Sequence, residues 1–230
     1  MKISLLNAGK RYNREWIFRH FNYTFLPGTH YAITGANGSG KSTMLQVIAG
    51  ATLHSEGEIN YEHADTAYVI QDRNNNLKDL STSRMPDPIS PVTYPTITEP
   101  FKYFSFAAPY MELVEEMTAS EFLSFHSRFK PLIAGIPEIL NETGLIKGAA
   151  KQIRYFSSGM KQRLKLAQAF FSNTNVLLLD EPITNLDTEG IHLYHSLINK
   201  YGNSKLIIVS SNDEQEYNFC KEVIRMGDYK

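Results

Sequence analysis

Two segments that lie far apart in the chain carry residues suited to phosphate chemistry. The first fits the pattern G-x-x-x-x-G-K-[ST], in which glycines let backbone N–H groups point at phosphate oxygens. We expect Lys41 to reach the β and γ phosphates of a nucleotide, and Ser42 to offer its hydroxyl to Mg²⁺. The pattern predicts nucleotide contacts at Gly35, Asn37, Gly38, Ser39, Gly40, Lys41, Ser42 and Thr43.

The second segment is the acidic pair Asp180-Glu181, which directly follows four apolar residues and precedes Pro182. A buried strand that ends in this way aims an acid at metal-bound phosphates, so we expect Asp180 to hold Mg²⁺ through water. Glu181 is then placed to orient and deprotonate a water that attacks the γ-phosphate. With Lys41, Glu181 forms the predicted catalytic pair.

Alternating strands and helices are expected to position these residues. The pattern of apolar residues predicts a strand at 30–34 before the glycine-rich loop, and a helix from Lys41 to Ala49 after it. Past the apolar strand at 176–179, helical and strand patterns alternate to the end of the chain, at 188–199, 206–209, 213–220 and 223–226. This order predicts an α/β fold with a mostly parallel sheet.

The rest of the chain is predicted to add short strands, helices and one insertion. Alternation favours strands at 21–25, 57–61 and 67–71, and a capping box that starts at Thr118 introduces a helix. Further helices are expected at 137–143 and 158–171. Half of the ten prolines fall between residues 72 and 100, which indicates a long surface insertion there.

Composition excludes several classes of protein. The chain has 230 residues, 42% of them hydrophobic, with a formal net charge of -1 and a pI near 6.7. It can bury a substantial core, and it has no basic excess that would favour nucleic acid or an anionic membrane. It has no apolar run long enough to span a membrane, so we expect a soluble chain. Cys220, the single cysteine, is predicted to be a packed thiol, which fits a reducing cytoplasm.

A third segment, Phe156-Ser157-Ser158-Gly159-Met160-Lys161-Gln162-Arg163, lies between the other two. Together the three resemble the ATP-binding cassette (ABC) ATPases, from Tyr12 to Gly227. The family's signature is usually LSGGQ, from which Ser158 and Met160 depart. The resemblance implies a P-loop NTPase core, an N-terminal antiparallel β-subdomain and a helical subdomain at about 110–172. It implies a single ABC ATPase domain over residues 1–230.

The resemblance also implies roles for other residues. Ser157 and the N–H of Gly159, at a helix N-terminus, are expected to contact a γ-phosphate held by the other subunit, although the segment alone equally fits an N-capped helix. Asn185-Leu186-Asp187 matches the D-loop, which crosses the dimer interface. Tyr12 stands where the family stacks an aromatic ring on adenine, and Trp16 is a neighbouring candidate.

At two positions the chain departs from the family. The glutamine of the Q-loop, which follows a strand and touches the metal site, is either Gln71 or is missing from a changed loop at Ala108, Pro109 or Glu112; distance to the signature favours the changed loop. The histidine expected after the strand at 206–209 is absent. In its place we expect Asn212, the candidate nucleotide contact, or Ser211 to hydrogen-bond a phosphate oxygen or water, but neither can carry the positive charge of imidazole.

The resemblance implies the nucleotide-binding subunit of an ABC transporter. Two copies would bind two Mg·ATP between them and drive a membrane-spanning permease, with the segment 110–116 as the coupling surface. The protein would then be cytoplasmic and attached through that partner to the inner face of the membrane. The alternative is a slow ATP-dependent dimerisation switch without transport, which the two altered positions motivate. A nucleic-acid repair or translation ATPase is disfavoured, because the chain has no second cassette, no long coiled-coil insertion and no basic excess.

Overall fold

The structure is a computed structural model that describes residues 1–63, 97 and 99–230. The strand predicted at 67–71, and most of the proline-rich segment 72–100, lie outside the described residues. In chain order the elements are β1 (Lys2–Tyr12), β2 (Glu15–Phe25), β3 (His30–Thr34), α1 (Lys41–Ile48), β4 (Glu56–Glu62), β5 (Phe104–Ala107), α2 (Ala119–Ser127), α3 (Ile136–Glu142), α4 (Ser158–Phe171), β6 (Val176–Asp180), α5 (Thr188–Tyr201), β7 (Leu206–Ser210), α6 (Glu214–Tyr217) and β8 (Glu222–Arg225).

A parallel sheet in the order β5-β6-β7-β3-β8 forms the centre of the fold, which confirms the predicted α/β class. Every residue of β6 and β7 is buried, as expected for strands that helices cover on both faces. Alternate residues enter two apolar clusters: Leu178 and Ile208 pack on one side, and Leu177 and Ile207 on the other. The sheet is therefore a rigid support between two cores.

The ends of three central strands are aligned. Asp180 of β6 pairs with Ser210 of β7, and Ser210 pairs in turn with Ile33 of β3. Because the strands are parallel, the loops that leave their carboxyl ends emerge at one edge of the sheet. The phosphate loop after β3 and the acidic pair after β6 therefore lie at the same edge.

A second, antiparallel sheet has the order β2-β1-β4 and confirms the N-terminal β-subdomain. Its strands differ from prediction, since β2 is longer than the segment 21–25 and β1 was not predicted. Positive φ angles occur at Asn7 in β1, at Asn13 in the turn after it and at His20 in β2, and the pairing of β1 with β2 shifts in register between Leu5 and Arg11. These irregularities break the alternation of apolar and polar residues by which strands are recognised in sequence.

The helices formed mostly where capping chemistry predicted them. Thr118 caps α2 in a capping box with Glu121, and α4 spans the predicted residues 158–171. One prediction was wrong in extent, because the helix expected at 213–220 is confined to the short α6. β5 is a strand that the sequence patterns did not predict. Cys220 lies after α6, and burial raises the pKa of its thiol to about 12, which supports a packed thiol.

Candidate nucleotide site

The loop between β3 and α1 folds as a compact cradle. The Ser39 N–H donates to the Ala36 carbonyl at 2.9 Å, which turns the chain before the helix begins. The Lys41 side chain is buried and runs back across the loop, where Nζ donates to the carbonyls of Gly35 at 2.7 Å and Ala36 at 3.4 Å. The ammonium group thus lies beside the loop, and its hydrogen bonds to the described residues are with these two backbone carbonyls, which phosphate oxygens can replace as acceptors.

This cradle fits an anionic phosphate group. The hydroxyl oxygen of Ser39 is buried, and it has no hydrogen-bond partner among the described residues. Such a group is costly unless a ligand or water satisfies it. The first N–H groups of α1 and the Lys41 ammonium add positive electrostatic potential at the same place. The loop therefore offers a phosphate the Ser39 hydroxyl and the first N–H groups of α1, together with the Lys41 ammonium once it gives up its contacts with the loop carbonyls.

Asp180 lies at the end of β6 with only 2% of its surface exposed. One of its carboxylate oxygens, Oδ1, accepts a hydrogen bond of 2.6 Å from the Ser210 hydroxyl. The Ser42 hydroxyl is carried by the second residue of α1, a helix that packs against β6 and β7. These oxygen donors suit Mg²⁺, which takes one or two protein ligands and completes its shell with phosphate and water. The described ranges contain no cluster of three or more His, Cys, Asp or Glu side chains that would instead form an all-protein metal cage.

Glu181 has an unusual backbone conformation immediately after β6. Its φ angle is 42°, and its N–H donates to the Ser210 carbonyl at 2.9 Å. Positive φ in a residue with a side chain costs free energy and is concentrated at functional sites. The turn exposes Glu181 at the edge of the sheet, where it lines a cavity of about 360 Å³ together with Thr184 and Asn212.

The loop after β7 reaches the phosphate loop through Asn212. Asn212 Oδ1 accepts from the Gly35 N–H at 3.0 Å, and Nδ2 donates to Asn37 Oδ1 at 3.3 Å. Ser211 is buried, and its hydroxyl accepts from the Asp213 N–H at 2.8 Å. Of the two residues that replace the histidine in the sequence, Asn212 is the one in contact with the phosphate loop.

The N-terminus of α4 carries the signature residues. Ser157 is the N-cap, and its hydroxyl accepts from the Met160 N–H at 3.2 Å, as the capping interpretation predicted. Ser157 and Ser158 are exposed. Within the described ranges, no hydrogen bond joins this helix start to the phosphate loop of the same chain. The structure therefore does not bring Ser157 and Gly159 together with Lys41 in a single copy.

The signature helix is instead attached to the loop that follows β6. Gln162 Nε2 donates to the Pro182 carbonyl at 2.8 Å, and Arg163 donates to Asp187 at the same distance. Asp187 caps α5 by accepting from the Gly190 N–H; this bond and the Arg163 guanidinium lower the pKa of the Asp187 carboxyl. The α4 helix thus contacts the segment that follows Glu181 at two points, Pro182 and Asp187.

The strand register separates the two aromatic candidates for adenine. Tyr12 pairs with Glu15, whereas Trp16 pairs with Arg11. Residues that alternate along a strand point to opposite faces, so Tyr12 shares a face with Ile17 and Trp16 does not. A side chain added at Gly40 would meet Ile17 at 2.3 Å, so that face adjoins the phosphate loop. Tyr12 therefore lies on the face that adjoins the phosphate loop, and Trp16 lies on the opposite face.

The segment 104–112 lies beside the acidic edge. Ala107 of β5 pairs with Leu179 of β6, and the Tyr110 hydroxyl accepts from Gln46 Nε2 at 3.3 Å. Burial raises the pKa of the Tyr110 hydroxyl, the Gln46 contact lowers it, and the nearby Asp180 carboxylate raises it again. Gln71, the other candidate for the Q-loop glutamine, lies outside the described residues.

Two residues of this region, Gln46 and Glu216, were not singled out in the sequence, and Tyr110 was named only as part of the segment 110–116. Gln46 and Tyr110 meet across 64 residues of chain, and Glu216 is a buried carboxyl in the same cavity as Glu181. Gln46 follows Ser42 by one helical turn, a spacing that marks it as a possible neighbour of the metal site. No local pattern marks Glu216, since α6 has only four residues.

Known proteins are similar to this chain in both sequence and fold. A family model described as ABC transporter matches residues 18–184. The uncharacterized ABC transporter ATP-binding protein YybJ of Bacillus subtilis is 28% identical over 229 residues, which cover 98% of this chain and 92% of YybJ.

Solved structures agree. An ATP-binding subunit of an ABC transporter superposes with a TM-score of 0.71 at 21% identity, covering 99% of this chain and 87% of that one. A dimeric bacterial ABC transporter cassette gives 0.72 at 23%, covering 98% and 95%. At these identities the superpositions show the fold, while the family model covers well over half of the sequence. The chain belongs to the ABC transporter family.

Proposed function

We propose that this chain is the nucleotide-binding subunit of an ABC transporter and hydrolyses ATP to ADP and phosphate. The observation that carries the proposal is the meeting of three loops at one sheet edge. Asn212 contacts the phosphate loop at Gly35. Ser210, which precedes Asn212 by two residues at the end of β7, donates a hydrogen bond to Asp180. A phosphate cradle, a buried acid and an exposed glutamate are thereby adjacent.

Binding relies on groups that the described chain leaves available. The N–H groups of Gly38 to Thr43 and the Ser39 hydroxyl would hold the β and γ phosphates, and Lys41 would exchange its carbonyl contacts for phosphate oxygens. Ser42 and Asp180 would hold Mg²⁺, which when bound supplies positive charge to the phosphates. Tyr12 would stack on adenine.

Hydrolysis requires a general base, and we propose Glu181 for this role. Its carboxylate accepts a proton from water while the water oxygen bonds to the γ-phosphorus. The bond between that phosphorus and the bridging oxygen of ADP breaks, leaving ADP and inorganic phosphate. Lys41 stabilises the negative charge that develops on the transferred group.

The signature residues argue for action as a pair of copies. The α4 N-terminus has free helix N–H groups, yet in the described structure it is not bonded to its own phosphate loop. We propose that Ser157 and the Gly159 N–H bind the γ-phosphate held by a second copy, which completes each site. A dimeric arrangement is known for the bacterial cassette to which this chain is similar.

The surface after β5 is proposed to receive the membrane partner. Residues 110–113 and Glu115 line a cavity of about 390 Å³ with Lys161 and Lys165 of α4, and Lys161 pairs with Glu115. Within the described ranges, no helix is both long enough and apolar enough to cross a bilayer. We propose a permease as a separate subunit, and hence a cytoplasmic position at the inner face of the membrane.

The loop after β5 is proposed to take the place of the Q-loop. It follows the strand next to β6, and Lys165 of the signature helix donates to the Pro109 carbonyl. Its glutamine is absent, so Tyr110, which contacts Gln46, is the polar group nearest to Asp180 from this loop. In this arrangement residues 110–172 form a helical subdomain within one domain of residues 1–230.

A second candidate function is a slow dimerisation switch without transport. Two observations favour it: Asn212, which is uncharged, contacts the phosphate loop where the family has histidine, and no glutamine occurs in the loop after β5. A slow enzyme would remain in the ATP-bound dimer for longer. The two candidates differ in turnover and in their requirement for a membrane partner.

The experiment compares ATP hydrolysis by the wild type, Glu181→Gln and the control Glu189→Gln, an exposed acid in the first turn of α5. For the motor we expect Glu181→Gln to lower kcat about 100-fold or more, with Glu189→Gln unchanged. Hydrolysis near background in all three proteins, with ATP-dependent dimers, would support the switch. Robust hydrolysis that survives in Glu181→Gln would refute Glu181 as the base.

A further inference from the structure

Glu216 is a carboxylate in an unusual place. It lies on α6, only 2% of its surface is exposed, and it lines the cavity shared by Glu181 and Asn212. The backbone at Glu216 is held in place, because the Tyr194 hydroxyl of α5 donates to the Glu216 backbone carbonyl at 2.6 Å. The side chain therefore has a defined position between the loops that follow β6 and β7.

The two carboxylate oxygens of Glu216 have different surroundings. Oε1 accepts from the Ile183 N–H at 2.8 Å, two residues after Glu181. Oε2 is buried and has no hydrogen-bond partner among the described residues. The Ser211 hydroxyl, on the loop after β7, also favours the charged form of the group. Glu216 thus connects the backbone beside Glu181 with the loop that carries Asn212.

The charged groups that face Glu216 are both acids. Burial is the main reason that its pKa rises to about 7, and the Asp213 and Glu181 carboxylates raise it further against the Ser211 and Ile183 contacts. The Tyr194 phenol beneath it stays neutral, since burial raises its pKa well above the ordinary value. No cation of the described chain contributes to holding Glu216 ionised. The group changes charge near neutral pH.

We infer that Glu216 is a positioning residue that joins the Glu181 loop to the Asn212 loop and makes this junction sensitive to proton concentration. The inference rests on the proposed ATPase function and adds its regulation. Ionised Glu216 accepts the hydrogen bond from the Ile183 N–H strongly and so fixes the backbone two residues after Glu181. A proton taken up from solvent weakens this bond, so turnover falls as the solution becomes acidic.

The kinetic test measures kcat from pH 6 to 8 for the wild type, Glu216→Gln and the control Glu214→Gln, an exposed acid on the same helix. Glutamine keeps an acceptor for the Ile183 N–H but cannot ionise. We expect kcat of the wild type and the control to rise about tenfold over this range, following the ionised fraction. In Glu216→Gln this step should be absent; a step that persists there would overturn the inference. Titration of ATP itself is common to all three proteins and cancels.

A second test needs neither nucleotide nor catalysis. In the free wild-type protein, the backbone amide resonance of Ile183 should shift with a midpoint near pH 7, because its N–H bonds the titrating carboxyl. Glu214→Gln should leave this titration in place and Glu216→Gln should abolish it. An Ile183 resonance that does not titrate between pH 5 and 8 would refute the inference. Failure of the proposed function would appear differently, as hydrolysis by the wild type no faster than by Glu181→Gln at any pH.

Discussion

The phosphate loop and the loop after β7 meet at Asn212, yet they are built in different ways. In the phosphate loop the groups that face a ligand are mainly backbone N–H groups and one lysine, all within nine consecutive residues. In the loop after β7, the neutral amide of Asn212 contacts the phosphate loop, and the buried acid Glu216 lines the same cavity as Asn212. The first region supplies positive potential, and the second supplies none.

This difference separates binding from catalysis. In the proposed mechanism, nucleotide affinity depends on the phosphate loop. The rate depends on Glu181 as the base and on the groups beside it, where the uncharged Asn212 stands in place of the family's histidine and the acid Glu216 bonds the backbone two residues after Glu181. We therefore expect ordinary ATP binding together with pH-dependent hydrolysis.

Replacement of Lys41 by methionine should give the largest effect. Methionine fills similar space but cannot stabilise the developing charge, so hydrolysis should fall about 1,000-fold and ATP affinity should also fall. Titration with a fluorescent ATP analogue and phosphate release would measure the two losses. Lys147→Met, at an exposed position, is the matched control. A Lys41 variant that loses binding no more than this control would break the assignment of affinity to the phosphate loop.

Glu216→Gln should change the pH dependence of stability, the second effect in size. The pKa of Glu216 is raised from 4.5 to about 7, so between these values the folded chain binds more protons than the unfolded chain. The free energy of unfolding of the wild type should therefore fall as pH rises through this window, by about 3 kcal/mol relative to Glu216→Gln. Denaturant unfolding at several pH values measures the difference. If the free energy of unfolding depended on pH in the same way for both proteins, the pKa of Glu216 would not be raised in the folded chain.

Exchanges at Asn212 test whether charge explains the weaker region. Asn212→His restores a cationic group and should raise kcat about tenfold, or ~1.4 kcal/mol in activation free energy. Asn212→Asp keeps the acceptor for the Gly35 N–H but adds negative charge, so it should lower kcat. Steady-state kinetics with saturating ATP give both values. Equal losses in the two variants would indicate that the shape of asparagine, and not its lack of charge, sets the rate.

The predictability of the site follows the same division. The phosphate loop, the acidic pair and the capped helices were predicted because each depends on residues close in sequence, such as Thr118 with Glu121 or Ser157 with Met160. Glu216 could not be predicted in this way, since its partner Ile183 lies 33 residues away. Sequence left open whether Ser211 or Asn212 takes the place of the histidine, with Asn212 as the candidate nucleotide contact, and in the structure Asn212 is the one that bonds the Gly35 N–H.

The fold shows where sequence patterns lose information. The buried strands β6 and β7 are continuous apolar runs and were predicted almost to the residue. β1 was missed because irregular residues such as Asn7 interrupt its alternation, and β5 because its four residues gain their partner only from β6. Patterns of neighbouring residues predict strands and helices whose own sequence is regular. Strands such as β1 and β5 are defined instead by their pairing with distant strands.

Gly38→Ala should give the smallest effect and separates backbone strain from ligand contact. Gly38 has a φ angle of 76°, and an added methyl group would meet nothing within 4 Å. The variant should therefore lose only about 1 kcal/mol of stability, the cost of positive φ in alanine. Gly28 is a matched control, since it has a φ angle of 69°, equally open space, and a position in the turn before β3.

Both glycine variants should unfold at similarly reduced denaturant concentrations, but only Gly38→Ala should also weaken ATP binding. The reason is that the backbone N–H at Gly38 must keep its direction toward a phosphate, while the N–H at Gly28 has no such task. Equal ATP affinity in the two variants, at equal stability, would mean that the loop tolerates a shift of its backbone. Affinity would then depend on Lys41 far more than on the cradle around it.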